Sequence, residues 1–237
     1  MKFKIHYIFL LIAFPLISVN GKSIISKSPP PSDTLAFKII RYKFNAKKQA
    51  CEVNIVYPHF YSKQTNSSII KINHLIYNFF DIDNYKNPKV IDNGICPGEV
   101  DNYITVFQTD KFINISDELV TFFQGAQGSF PQYTTILIDK KTGNKINQVS
   151  IFKAENIEKL KQLIWANFKI QTKDDVVNSY DRSRYENSLA DLQCYFIKNK
   201  VMFYLKDGKS EDDRNFGYYI EVPIQSINEY LKDEYKF

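Results

Sequence analysis

The chain has little of what most catalytic centres are built from. Its 237 residues include three histidines and three cysteines. Cys51, Cys96 and Cys194 lie far apart, so no CxxC pair offers a redox centre or a zinc knuckle. Zinc sites usually take three or four His, Cys or carboxylate ligands. Beyond the first 21 residues only His59 and His74 remain, and neither belongs to a helical His pair. Each reads as an ordinary surface or boundary residue. A serine hydrolase would show G-x-S-x-G, which Gly128-Ser129-Phe130-Pro131 does not match. Asp81 and Asp83 begin like a calcium loop, but Lys86 stands where glycine is needed and no Glu closes it. Glu211-Asp212-Asp213 reads as a solvated acidic loop. No glycine-rich phosphate loop is present. Paired carboxylates can hydrolyse sugars, yet no motif selects a pair among the 26 acidic residues. Charge of one sign is also lacking. The formal net charge is +5, with basic and acidic residues interleaved rather than gathered into the basic stripe of a nucleic-acid groove.

Long apolar runs are absent too, apart from a short one at the start. Lys2 and Lys4 precede the mostly apolar stretch from Ile5 to Ile17, and Ser18 to Gly21 end it with small residues at Val19 and Gly21. This is the three-part layout of a secretory signal. The run is shorter than the ~20 residues a spanning helix needs, and it contains Pro15. The expectation is cleavage near Lys22 and a periplasmic or secreted protein without a stable membrane anchor. Losing Lys2 and Lys4 would lower the net charge to +3. No lipoprotein cysteine follows the run, since the first is Cys51. In an oxidising compartment three cysteines imply one bridge and one leftover thiol, or an intermolecular bond. Cys51 falls on an early strand and Cys96 in the loop leading to a later strand of the same half. These two are the expected pair, with Cys194 reduced. Closing that loop would stabilise the fold by roughly 4 kcal/mol at most.

What is abundant is aromatic: 16 Tyr and 19 Phe. Such richness suits pleated sheet, and also carbohydrate stacking or a partner face. After the stiff Ser28–Ser32 proline segment, Leu35 to Phe44 and Cys51 to Tyr57 read as a hairpin ended by Pro58. Ser67 or Ser68 caps a helix with its stripe at Ile69, Ile72 and Ile76. Tyr103 to Thr109, Phe112 to Ser116 and Leu119 to Gln124 read as short strands, with a turn at Ser116-Asp117-Glu118. Tyr133 to Asp139 and Lys145 to Ile151 follow. A second helix, capped by Asn156, presents Ile157, Leu160, Ile164 and Phe168. Cys194 to Ile197, Val201 to Leu205 and Phe216 to Glu221 are the last strands, and Pro223 opens a final helix. The fold class is α+β, with antiparallel strands, three principal helices and two interlocked sub-domains. The boundaries are 1–21 signal peptide, 22–33 proline-rich linker, 34–110 N-terminal sub-domain and 111–237 C-terminal sub-domain.

The order of several segments carries a resemblance. A hairpin precedes a helix with Ile72-Asn73-x-x-Ile76. A strand ladder leads to Phe123-Gln124-Gly125-Ala126-Gln127-Gly128. Then come Ile136-Leu137-Ile138-Asp139-Lys140-Lys141-Thr142-Gly143-Asn144 and Val222-Pro223-Ile224-x-x-Ile227-x-x-Tyr230-Leu231. From about Leu35 to Leu231 the chain resembles the RsiV-like family of bacterial cell-envelope domains. That family includes the extracytoplasmic domain of a lysozyme-sensing anti-sigma factor and the N-terminal region of some peptidoglycan deacetylases. The family usually has Gly-Gly-Ala-His where this chain has Gln124-Gly125-Ala126-Gln127. The resemblance implies the sensing or binding module alone. It implies an envelope partner, lysozyme or a peptidoglycan component; the residues themselves lead to the expectation of no cofactor, metal or nucleic acid.

The expected function is therefore non-enzymatic binding. Gly125, Gln127, Gly128, Phe130 and Tyr133 form the candidate surface. The glycines would let backbone amides approach a partner, and the aromatics would anchor it. A plain hairpin connection with both aromatics packed inward is the competing reading. An envelope enzyme acting on peptidoglycan through unselected carboxylates is the alternative function.

Overall fold

Strand alternation and two helical stripes account for most of the architecture. The computed structural model describes residues 35–46, 51–62, 66–86, 98–123, 129–172, 193–206 and 217–237. The expected signal and linker, and Cys96, lie outside the described residues, as does the side chain of Cys51. Among the described residues no helix is long and apolar enough to cross a membrane. The chain is an α+β protein built predominantly of strands.

Six strands form one sheet in sequence order: β1 (Ala36–Ala46), β2 (Cys51–Tyr61), β3 (Gly98–Gln108), β4 (Phe112–Phe123), β5 (Ser129–Asp139) and β6 (Lys145–Ile146). All neighbours are antiparallel except β2 and β3. Two helices, α1 (Ser67–Phe79) and α2 (Ile82–Lys86), connect that parallel pair. Helix α3 (Ile157–Gln171) comes next. Three further strands make a second sheet, β7 (Cys194–Ile197), β8 (Lys200–Lys206) and β9 (Gly217–Pro223), followed by the single turn α4 (Ile224–Ile227).

The expected stripe of α1 is buried at Ile69, Ile72 and Ile76, and it packs on Val53, Ile55 and Ile113 of the large sheet. Its cap is Asn66 rather than a serine. Asn66 is extended, and its Oδ1 accepts the Ser68 amide at 2.9 Å. The stripe of α3, Leu160, Ile164 and Phe168, closes a second core over Phe203, Ile220 and Val222. Asn156 makes no side-chain cap there. It ends a 3-10 turn instead, and its Nδ2 donates to the Glu229 carbonyl.

Three strand expectations need correction. Pro58 does not end β2; the strand runs through it to Tyr61. Ser116-Asp117-Glu118 is not a turn but the middle of the continuous β4. Residues 147–151 are not strand, because β6 stops at Ile146 and a 3-10 turn follows. The first has a clear cause. The parallel pairing of β2 with β3 covers only Glu52–Asn54 against Glu99–Asp101. Beyond it, β2 keeps β1 on one side and loses its ladder on the other. Two asparagine carboxamides replace that ladder. Asn102 accepts from the Val56 amide at 2.7 Å and donates to the Val56 carbonyl at 2.9 Å. Asn73 does the same for Phe60, both bonds at 2.8 Å. Alternation puts position 58 between these two on the same side, where a proline leaves no amide to satisfy.

Asn114 ties the two sheets together. Buried at 1% exposure, it donates from Nδ2 to Thr135 Oγ1 and the Ile136 carbonyl, and accepts the Phe196 amide of β7 at 2.8 Å. Gln148 accepts the Cys194 amide two residues earlier. Side-chain amides thus cover the outer edge of β7, which would otherwise present unpaired donors.

The β5–β6 turn contains a glycine whose conformation is forced. Gly143 has φ +72°, and a Cβ there would stand 2.6 Å from the Ser68 carbonyl oxygen and 2.8 Å from Lys71 Cβ on α1. Gly143→Ala should cost about 3 kcal/mol, part left-handed strain and part displacement of α1. Urea melts of the two proteins check this; an unchanged midpoint would contradict it.

Candidate functional site

Alternation divides the large sheet sharply. Residues 113, 115, 136 and 138 face α1. On the other face, the strand ends carrying Phe112 and Leu137 enter the second core. Further along the same strands that face turns polar, with Ser116, Glu118, Tyr133 and Thr135. The register pairs Glu118 with both Tyr133 and Tyr103, and Asn54 with Asp101. The small sheet is divided in the same way. Cys194, Phe196 and Phe203 go to the core, while Tyr195, Tyr204 and Tyr219 alternate to the opposite face. Between the two polar faces lies a cavity of about 360 Å³, lined by all these tyrosines and by Arg41, Asn54, Asp101, Asn102, Asp117 and Glu118. That volume is within the ~300–1,000 Å³ range of small-molecule sites.

Tyr219 is the hub of an aromatic wall. Its ring centroid lies 4.5 Å from that of Tyr133, 5.1 Å from Tyr204 and 6.0 Å from Tyr195. Tyr133 donates its hydroxyl to Glu118 Oε1 at 2.6 Å. Burial pushes the Tyr195 phenol up to about 12. It raises those of Tyr133 and Tyr219 as well, helped by the Glu118 hydrogen bond and by neighbouring phenols respectively. These rings are therefore neutral at physiological pH. They offer π-faces and hydroxyls, not phenolate bases.

Asp117 is the electrostatic centre. It is 7% exposed and accepts from Asn102 Nδ2 at 2.7 Å. Burial lifts its carboxyl to about 7; the Asn102 bond works against that rise and the Glu118 charge adds to it. Asn102 thus serves two ends at once, the Val56 backbone and the Asp117 carboxylate. On the far side stands Tyr85 of α2, whose phenol is pushed up to about 12 by burial and by the charges of Asp117 and Asp81. Asn54 donates to Asp101 Oδ1 at 2.8 Å, while its own buried Oδ1 has no hydrogen-bond partner among the described residues. Acidic residues continue along β2 and β3 at the directly opposed Glu52 and Glu99. The Glu99 carboxyl is raised by partial burial, by the charges of Asp101 and Glu52, and by a hydrogen bond with Asp101.

Of the sequence-derived candidates, Tyr133 is in this cavity wall and 38% exposed. Gly125, Gln127 and Gly128 lie outside the described residues. Phe130 pairs through its backbone with Thr121, and its side chain is not described. His59 and His74 are both exposed, on β2 and α1, and neither lines the cavity. Cys194 does line it, but burial pushes its thiol up to about 12, the opposite of an activated nucleophile. Among the described residues no three His, Cys, Asp or Glu side chains gather as metal ligands. Sequence reasoning missed Asn54, Asp101, Asn102, Asp117, Glu118, Tyr195, Tyr204 and Tyr219. The one signal available was the tyrosine alternation in the last strands.

No protein family is matched by the sequence, and no curated protein matches it. Among solved structures the chain is similar to a DUF3298 family protein of Pseudomonas aeruginosa PAO1. The TM-score is 0.53 and the identity 11%, over 85% of this chain and 96% of that one. A member of the same family from Bacteroides fragilis NCTC 9343 aligns with a TM-score of 0.49 at 12% identity, over 85% and 95% of the two chains. At the identity of the Pseudomonas protein, the likeness establishes the fold: the α+β, strand-dominated architecture described above.

Proposed function

We propose that this chain is a non-enzymatic binding module of the bacterial envelope, RsiV-like in descent, that takes its ligand in the cavity between the two sheets. The observation that carries the reading is the cavity itself, walled by rigid aromatics and lined, among the described residues, by no nucleophile–base pair. Each sheet brings its own helix and core, and β4 and β5 contribute to both cores. This supports two interlocked sub-domains, and the proposed boundary at residue 110 falls between β3 and β4, so that both halves supply strands to the six-stranded sheet. The signal-like start supports export to the periplasm, with mature protein beginning near Lys22 and a Cys51–Cys96 bridge. N-terminal sequencing and non-reduced peptide mapping of the native protein check these two points. An intact Met1 or a cross-linked Cys194 peptide would refute them.

The partner proposed is lysozyme or a peptidoglycan component. Calorimetry of the purified protein with each should give saturable heat for one of them, reduced by Tyr219→Leu. Silence with both partners would reject the named partners. A second reading has its own support. Asp101 pairs with Val120, so Glu118 is its diagonal neighbour on the same face. Such neighbours stand roughly 7–8 Å apart at the backbone, and both side chains line the same cavity, as a glycosidase's carboxylate pair must. Peptidoglycan turnover that survives purification and is abolished by Glu118→Gln would favour that enzyme over the binding module.

A further inference from the structure

The cavity is asymmetric in its hydrogen-bonding chemistry, and that asymmetry identifies a ligand class. Its polar lining is rich in acceptors: the carboxylates of Asp101, Asp117 and Glu118. Among the described residues Arg41 is the single cation in the lining, and it is exposed on β1 with Lys43 beyond it. Opposite the acids stand the clustered tyrosine rings, whose negative π-faces attract cations. An anionic ligand would meet these carboxylates across a low-dielectric gap. A neutral sugar would donate hydroxyls to these acceptors but leave their charges unpaired.

We propose that the cavity is a recognition site for an organic cation, an ammonium or guanidinium group on a small aliphatic or sugar scaffold. The charged head would lie against Asp101 and Glu118, with its carbon scaffold on Tyr133 and Tyr219. A compact monatomic cation fits less well, since the acidic side chains among the described residues are not grouped as a ligand set. The inference rests on the binding-module reading and specifies what that module recognises.

Matched ligand pairs differing in charge test it. Calorimetry of the purified protein would compare lysine methylamide with norleucine methylamide, arginine with citrulline, and glucosamine with N-acetylglucosamine. At least one cationic member should bind at least about tenfold more tightly than its neutral counterpart, the scale of one good cation–π and charge contact. Glu118→Gln and Asp101→Asn should each weaken that binding by about tenfold, and raising the salt concentration should weaken it further. Melting curves confirm that the variants fold, and Tyr219→Leu gives a second route if either carboxylate variant does not. Equal affinity within every pair, or no cation bound at millimolar concentration, overturns the proposal. If peptidoglycan or lysozyme still binds in that case, the envelope reading stands and only the cation assignment falls. If a cation binds through Glu118 while neither envelope partner binds, the cation site stands and the named partners fall.

Discussion

Asp117→Asn should make the protein more stable at pH 8 than the unaltered chain, and should flatten a pH dependence that the unaltered chain shows. The carboxyl titrates near 7 in the fold, against an ordinary value of 3.8. Between those values the native state holds a proton that the unfolded chain has lost. Stability from this group is therefore full below about pH 4, falls as pH rises, and levels off above about 7. The difference corresponds to about 4 kcal/mol. Asparagine keeps the size and can still accept the Asn102 hydrogen bond, but has no charge to bury. Urea melts of both proteins at pH 4, 6 and 8 give the difference free of the other carboxylates. A gap that widens from pH 4 to 8 is expected. Parallel stabilities would show that Asp117 is solvated enough to ionise at its ordinary pKa.

The second large effect is expected at Asn102, which stands in for a missing strand. Asn102→Leu fills similar volume but leaves the Val56 amide and carbonyl without partners and removes the donor to Asp117. Two buried backbone groups and a carboxyl each lose a hydrogen bond, so the cost should reach about 4 kcal/mol. Asn73→Leu, near the end of β2 where fraying is easier, should cost less, about 2 kcal/mol by the same reasoning. Chemical denaturation measures both. A cost for Asn102→Leu no larger than that for Asn73→Leu would mean that water replaces the carboxamide. Hydrogen exchange at the Val56 amide gives an independent readout, since protection there depends on the Asn102 side chain rather than on the β3 backbone.

Both residues lay within sequence that was read incorrectly or too coarsely, for physical reasons. Ser-Asp-Glu is turn chemistry on local grounds, because short polar side chains compete for backbone hydrogen bonds. In the fold, Asp117 is opposite Ile104 on one side and Thr134 on the other. Two flanking ladders override the local preference of three residues. Pro58 misled in the same way. Proline ends a strand only where its missing amide was needed, and here that side of β2 faces a gap. The candidate surface at Gly125–Tyr133 was chosen from glycines and aromatics adjacent in sequence. Its one fully described member, Tyr133, meets partners from residues 118, 195 and 219.

Several properties were determined by the sequence alone, because they depend on spacing along the chain. The buried stripes of α1 and α3 follow from 3.6-residue periodicity. The apolar faces of β2, β7 and β8 follow from strict alternation. The α+β class follows from the sequence of strand and helix patterns. The shortage of histidine and the wide separation of cysteines constrained the chemistry before any coordinate was known. Tertiary structure alone decided where the polar faces meet. A six-stranded and a three-stranded sheet each need one apolar face for a core, and Asn114 and Gln148 tie them edge to face. The faces left over, tyrosine-rich on one sheet and acidic on the other, are thereby brought across a cavity. No local pattern encodes that meeting, because its contacts join residues some 15 to 100 positions apart and their free energy appears only when both sheets are already formed.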